Sequence, residues 1–255
     1  MSTTDPMTEQ DDCAGERWFS VKELTELARP TMDRAIEAIE RGDAQGAVDL
    51  CEEMRREWRN LHDTMAGMIA GLVSFIQQRL GEDAIADAWT DALGRGWRQE
   101  TARIQAADRR QVARGLAATW RAHSGSGRGA NPAAFRIEED TEKITFTMNP
   151  CGSGQRLWRN GAYEGEHAFT LTERAHTWTF GRENFPVYCT HCAFMNEILP
   201  IKWYGLPLFP AETPTNYDHD PCIWYWYKNP SNIPDHYWRR YGLSPTDDNH
   251  PSRPT

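Results

Sequence analysis

The stretch Tyr188-Cys-Thr-His-Cys192 decides how the second half of this chain is interpreted, because it holds two cysteines in C-x-x-C spacing. This spacing lets two thiolates bind one tetrahedral metal ion. Cys151 precedes the pair in a glycine-rich turn, and Cys222 follows it directly after a proline. The sequence therefore predicts a metal site, and its predicted ligands are Cys151, Cys189, Cys192 and Cys222.

Zinc is the expected metal, with an iron–sulfur cluster as the alternative, because cysteine-rich sites in reducing compartments hold these groups. A bound metal would also stabilise a turn-rich segment that has little regular apolar pattern. A different interpretation of Cys151 and Cys222 is that they are small buried residues without a metal, since free cysteine is often buried.

Charge and hydropathy exclude several classes of partner. The net charge of the 255-residue chain is −9 at pH 7, so nothing electrostatic attracts it to nucleic acid or to an anionic membrane. The longest apolar stretch, near residues 65–76, is shorter than the roughly 18–20 apolar residues that a membrane span needs. Residues 1–16 lack the basic start and apolar centre of a secretory signal. We therefore expect a cytoplasmic protein, in which thiols stay reduced.

Helical periodicity dominates the first half of the chain. Ser20-Val-Lys-Glu23 has the pattern of a capping box. A long helix is predicted from Asp43 to Gly81, because apolar residues recur there three and four positions apart. Residues 17–122 as a whole predict a helical bundle. Residues 1–16 are assigned to a disordered acidic tail.

The second half has a different pattern. Residues 123–140, rich in glycine and serine at their start, are assigned to a linker. His191–Leu199 predicts a short helix that Pro200 stops. Alternating residues predict strands at Lys143–Met148, His167–Thr172, Thr177–Phe180 and Cys222–Tyr227. The predicted fold class is α+β, with the helical bundle followed by a smaller, turn-rich α+β metal-binding domain at residues 141–243 and a disordered tail at 244–255.

Three residues are candidates for acid–base catalysis. His191 and Glu197 lie close in sequence to predicted ligands. His62 shares a helix face with Trp58 and Met65, which we expect to be buried. If three cysteines hold zinc and water takes the fourth position, the metal would generate hydroxide near neutral pH. A pocket is expected between the bundle and the metal domain.

Aromatic residues are concentrated near the C-terminus. Within the predicted strand Cys222–Tyr227, Trp224 and Trp226 face the same side. One face of such a strand forms core, and the other can line an apolar pocket for a small, aromatic or cationic ligand. The predicted substrate-binding residues are Trp203, Trp224 and Trp226.

The chain lacks the motifs H-E-x-x-H, G-x-G-x-x-G and G-x-S-x-G and the P-loop. The predicted function is a zinc-binding small-molecule enzyme, a hydrolase or a lyase. One alternative is a non-catalytic module that binds a ligand or a protein and carries a structural zinc. A second alternative is a thiol oxidoreductase that uses the C-x-x-C pair.

Three short stretches resemble known families. Residues Tyr188–Glu197 resemble the active-site stretch of thioredoxin-like oxidoreductases, which implies a lowered pKa of the first thiol. Pro150-Cys-Gly-Ser-Gly154 resembles half of the SEC-C zinc motif. The C-x-x-C pair, followed by Pro221-Cys-Ile-Trp-Tyr-Trp-Tyr-Lys228, is similar to the C-terminal layout of the thiazoline-carboxylate hydrolase and vinyl-reductase-like families, in which a late cysteine opens the last strand.

Overall fold

The computed structural model describes residues 18–124 and 135–245. Cys13, the tail predicted at residues 1–16 and most of the C-terminal tail therefore lie outside the described residues. The chain divides into two compact units, Met1–Asn60 and Leu61–Thr255. Each helix within the described ranges is too short or too polar to cross a lipid bilayer.

The described part of the first unit consists of helices. They are α1 (Val21–Leu27), α2 (Thr31–Glu40) and the start of α3 (Ala44–Leu80). The predicted capping box is confirmed, because the Ser20 hydroxyl accepts a hydrogen bond from the Glu23 N–H while the Glu23 carboxylate accepts one from the Ser20 N–H. The predicted long helix is confirmed as α3. It ends before Gly81, whose φ of 86° is a conformation that glycine adopts without strain.

Two further helices, α4 (Asp83–Ala106) and α5 (Arg109–Ser124), belong to the second unit. They pack against the C-terminal half of the chain. The indole N–H of Trp97 on α4 donates to the Met195 carbonyl at 2.7 Å. The ring of Trp120 on α5 lies 4.2 Å from that of Trp224, centroid to centroid. Helices assigned from sequence to an N-terminal bundle therefore share a core with residues assigned to the second domain.

A four-stranded antiparallel sheet follows, in the order β1-β2-β4-β3. Its strands are β1 (Phe135–Glu139), β2 (Lys143–Met148), β3 (Ala211–Glu212) and β4 (Cys222–Tyr227). The helices and this sheet confirm the α+β class. Strand β1 lies in the segment assigned to a linker. The strand prediction for His167–Thr172 is wrong, because only a single bridge from Leu171 to Pro186 forms there, and the prediction for 177–180 is wrong because Thr177–Thr179 is a 3-10 helix.

Short helices lie between the strands along the chain and after the last strand. They are α6 (Gly154–Arg159), a 3-10 turn (Val187–Cys189), α7 (Thr190–Ala193), a π-helical turn (Phe194–Ile198), α8 (Leu199–Tyr204), a 3-10 turn (Pro230–Asn232) and α9 (His236–Arg239).

The helical run that begins with α7 continues through Pro200 to Tyr204, so the predicted stop at Pro200 is wrong. Proline has no N–H to offer the carbonyl one turn earlier, at Asn196. That carbonyl instead accepts hydrogen bonds from the N–H groups of Leu208 at 2.7 Å and Phe209 at 3.2 Å. The chain following the helix thus replaces the bond that proline removes.

Candidate functional site

A cavity of about 180 Å³ in the second unit is lined by all four cysteines that the sequence singled out. His62, His191 and Trp224 also line it, together with His123, Ser153 and Trp120. The wall is therefore formed by α3, α5, the turn before α6, α7 and β4. Thiol, imidazole and indole groups from distant parts of the chain face one small space.

The sheet register brings two of these cysteines together. Cys222 is the first residue of β4, and in the antiparallel pairing it lies opposite Met148, the last residue of β2. Cys151 follows Met148 by three residues, in the turn that leads from β2 into α6. The two side chains consequently lie close enough for each thiol to shift the pKa of the other.

The neighbouring thiol of Cys222 lowers the pKa of Cys151 to about 6. Burial opposes this shift, but backbone N–H groups of Ser153, Gly154 and Gln155 also point at the Cys151 sulfur and favour its thiolate. The same interaction, reinforced by burial, raises the pKa of Cys222 well above its ordinary value. Cys151 is thus the more acidic thiol of the pair.

The two cysteines of the C-x-x-C pair are less acidic than an ordinary cysteine. Burial raises the pKa of both Cys189 and Cys192. Gly154 packs so closely on the Cys189 sulfur that a Cβ at Gly154 would lie 2.3 Å from it. The Cys192 sulfur lies 3.5 Å from Nε2 of His191, whose own pKa is lowered by burial. Both cysteines are therefore neutral thiols, and the lowered pKa of the first thiol implied by the thioredoxin-like resemblance does not occur.

The predicted zinc site is wrong for the residues that the structure describes. Among residues 18–124 and 135–245, no group of three or more histidine, cysteine, aspartate and glutamate side chains could hold a metal ion. The four cysteines line one cavity, but in the part of the chain that the structure describes they do not come together as a ligand set for a metal ion.

A chain of hydrogen bonds runs along the cavity wall. The hydroxyl of Ser153 lies 3.2 Å from Nε2 of His62 and 2.7 Å from Nε2 of His123. Nδ1 of His123 lies 2.7 Å from the hydroxyl of Ser124, which accepts the Gly152 N–H at 3.0 Å. The structure thereby links α3, α5 and the turn before α6 through side chains.

Either tautomer of His62 is compatible with this chain. Its Nδ1 lies 3.2 Å from Asp63 Oδ1, to which it can donate, and 3.1 Å from Arg156 Nη2, from which it can accept. Because serine hydroxyls both donate and accept, a change of tautomer reverses each hydrogen bond between a histidine and a serine of the chain, while the Gly152 N–H remains a donor. Burial, helped by nearby positive groups, lowers the pKa of His123 to about 3, so this histidine is neutral. Such an array can pass a proton from one end to the other.

Glu197, a predicted catalytic residue, lies away from the cavity. Its buried carboxylate accepts the Ala211 N–H at 2.9 Å and pairs with the guanidinium of Arg240. Burial raises the pKa of Glu197 to about 7, with Arg240 opposing the shift. The pair joins the π-helical turn to β3 and to Arg240, the residue directly after α9, which is a structural arrangement.

The three predicted substrate-binding tryptophans lie in different places, and one of them lines the cavity. Trp224 lines the cavity, whereas Trp226 donates its indole N–H to the Arg109 carbonyl at 3.0 Å and lies under the Arg109 guanidinium. Trp203 packs in another cluster with α4. The second indole that lines the cavity belongs to Trp120. Sequence reasoning missed Trp120, His123 and Ser153, because their contacts join residues far apart in the chain.

Comparisons of the chain with protein-family models, with curated proteins and with solved structures give no significant match.

The first prediction concerns the ionisation of Cys151. Reaction of Cys151 with iodoacetamide, measured by mass spectrometry across a pH series, should be half-maximal near pH 6 and level by about pH 7, because only the thiolate reacts. An ordinary cysteine has a pKa of about 8.5 and would still gain reactivity above that pH. In Cys222→Ala the thiol that lowers the pKa of Cys151 is lost, so the midpoint should rise. A midpoint near the ordinary value in the unmodified chain would contradict the assignment.

Proposed function

We propose that this chain is a thiol oxidoreductase that reduces small hydroperoxides, with Cys151 as the attacking sulfur and Cys222 as the resolving thiol. The observation that carries the proposal is that Cys151 and Cys222 lie side by side at the wall of one small cavity, where each shifts the pKa of the other. It keeps the thiol chemistry that the C-x-x-C motif suggested but assigns it to two other cysteines.

The surroundings of Cys151 favour attack by its sulfur. Its burial is intermediate, whereas Cys189, Cys192 and Cys222 are buried. Backbone N–H groups at the start of α6 and the neighbouring Cys222 thiol lower its pKa. Thiolate-stabilising contacts at a partly accessible cysteine are the usual mark of a reactive one.

The size of the cavity limits the substrate. A site for a drug-sized ligand occupies about 300–1,000 Å³. The present cavity has about 180 Å³, room for only a few atoms beside the side chains. Its wall includes two indoles and the methionine side chain of Met195, which suit a compact and weakly polar molecule. Hydrogen peroxide and short alkyl hydroperoxides meet these conditions, whereas a glutathione-sized disulfide does not.

The proposed reaction uses these two cysteines, the hydroperoxide and an external dithiol reductant. The Cys151 thiolate attacks the outer oxygen of the hydroperoxide, the O–O bond breaks, and an alcohol or water leaves after taking one proton. Cys151 becomes a sulfenic acid. The Cys222 sulfur then attacks the sulfenic sulfur, forming the Cys151–Cys222 disulfide and releasing water. A dithiol reductant restores both thiols by thiol–disulfide exchange.

The hydrogen-bond chain of His62, Ser153 and His123 provides a route for the proton that the leaving oxygen takes. His62 and Ser153 both line the cavity, and Arg156 and Asp63 hold the far side of the His62 ring. Their role is to move a proton along the wall, and they form no bond to the substrate. A cytoplasmic setting fits the proposal, because thiol reductants that restore the dithiol are found there.

The second prediction tests the proposal on the whole, reduced chain. One equivalent of hydrogen peroxide should remove two thiols per chain, counted with a thiol reagent after denaturation, and a dithiol reductant should restore them. Cumene hydroperoxide, which is too bulky for the cavity, should react at least about ten times more slowly. An unchanged thiol count with hydrogen peroxide, or equal rates for the two peroxides, would rule the proposal out.

A further inference from the structure

Helix α3 carries large apolar side chains on a face that the second unit leaves open. Within the second unit these are Leu61, Met65, Met68, Leu72 and Phe75, which we call the α3 stripe. Each is more than half exposed, from 55% at Met65 to 64% at Met68. Scattered exposed apolar residues are ordinary on a protein surface, but a continuous row of five is not.

The spacing of the α3 stripe is that of a helix-pairing seam. Its members alternate four and three positions apart, which is the a/d pattern of a heptad repeat. Ala66, Ala70 and Val73 lie on the other side of the helix and are buried in its own unit. The helix therefore has two apolar faces, and only one of them is covered.

The second unit does not supply a cover. Its described residues leave the stripe exposed, as the exposed fractions record. Residues 1–17, 125–134 and 246–255, which the structure does not describe, contain Met1 and Met7 as their only large apolar side chains. Two methionines are too few to shield five large residues spread over four turns of helix.

We infer that the α3 stripe is a dimer interface that a second copy of this chain covers through its own α3 stripe. A two-fold axis pairs a surface with itself, and a heptad seam is complementary to another seam of the same kind. The five side chains expose on the order of 500 Å² per chain, or about 1,000 Å² for two copies, which is the area that a specific interface needs.

The charge pattern favours a second copy over a lipid surface. Helices that lie on membranes carry lysine and arginine along their polar face to meet anionic lipids. From Thr64 to Gln78 the helix has no charged residue of either sign, and the chain as a whole has a net charge of −9. An uncharged seam on an acidic chain is instead suited to an apolar contact between two copies.

The third prediction is measured by sedimentation equilibrium on the full chain. The unmodified chain should reach twice the mass of one chain as its concentration rises. Met68→Glu places a carboxylate at the centre of the stripe in both copies, so the dimer dissociation constant should rise at least about 100-fold. Gln78→Glu adds the same charge to an exposed position of the same helix outside the stripe, and it should leave the dimer intact.

Folding of the variants is checked by circular dichroism, and the mass of the unmodified chain decides the matter even if Met68→Glu fails to fold. A chain that stays monomeric at every concentration would overturn the inference, whatever else binds to the stripe. A Met68→Glu chain that dimerises as well as the unmodified one would overturn it too. Equal loss of the dimer in Gln78→Glu would show that charge alone, and not the stripe, controls association.

Discussion

Replacing Cys151 with serine is expected to lower the rate of hydroperoxide reduction at least about 100-fold, because the hydroxyl of serine does not ionise near neutral pH. The backbone donors around position 151 and the thiol of Cys222 would remain, but no thiolate would be left for them to stabilise. The measurement is the consumption of hydrogen peroxide with dithiothreitol as reductant, after subtraction of the uncatalysed rate.

Two further variants separate the roles of the cysteines in the same assay. Cys222→Ser should retain the first oxidation, so Cys151 accumulates as a sulfenic acid that a dimedone probe labels. Cys51→Ser removes an exposed cysteine of α3 that lies outside the cavity, and it should leave turnover unchanged. If Cys151→Ser keeps more than half of the turnover, Cys151 is not the attacking residue.

Gly152→Ala is expected to be the most destabilising single substitution near the site. A Cβ at this position would lie 1.7 Å from the carbonyl oxygen of His123 and 2.6 Å from its carbon. These are backbone atoms of α5, so no side-chain rotation relieves the clash. The turn or the helix end must move, and the hydrogen bond from the Gly152 N–H to Ser124 breaks with it. We expect a loss of about 3 kcal/mol or more in the free energy of unfolding.

The matched control is Gly115→Ala in the interior of α5, where a Cβ would meet nothing within 4 Å. There alanine should stabilise the chain by up to about 1 kcal/mol, because it forms helix more readily than glycine. Both free energies are obtained from urea unfolding followed by tryptophan fluorescence. A Gly152→Ala chain as stable as the unmodified one would mean that the turn does not approach α5 as described.

The parts of the fold that sequence anticipated are those with a local signal. They are the capping box at Ser20, the long helix α3, and the strands β2 and β4. Each was predictable because residues close together in the sequence determine it. The secondary-structure predictions were wrong where contacts with residues far away in the chain determine the structure. His167–Thr172 has the alternation of a strand but pairs only through Leu171, and Pro200 was expected to end a helix that Leu208 and Phe209 allow to continue.

The candidate site could also be predicted from the sequence only in part. The cysteine pattern pointed to the residues that line the cavity, because C-x-x-C and turn signals are visible in sequence. Their protonation was not visible, since it depends on burial and on the contact of Cys151 with Cys222 that the β2–β4 register creates. The link from His62 through Ser153 to His123 joins positions 30 and 91 residues apart, beyond the reach of any local pattern.

The central claim is that the redox pair is Cys151 with Cys222, and a disulfide map tests it most directly. The reduced chain is treated with one equivalent of hydrogen peroxide, its free thiols are blocked under denaturing conditions, and its peptides are identified by mass spectrometry. We expect one cross-linked peptide pair that joins Cys151 to Cys222, with Cys189 and Cys192 blocked as free thiols. A disulfide between Cys189 and Cys192, with Cys151 and Cys222 blocked as free thiols, would contradict the claim.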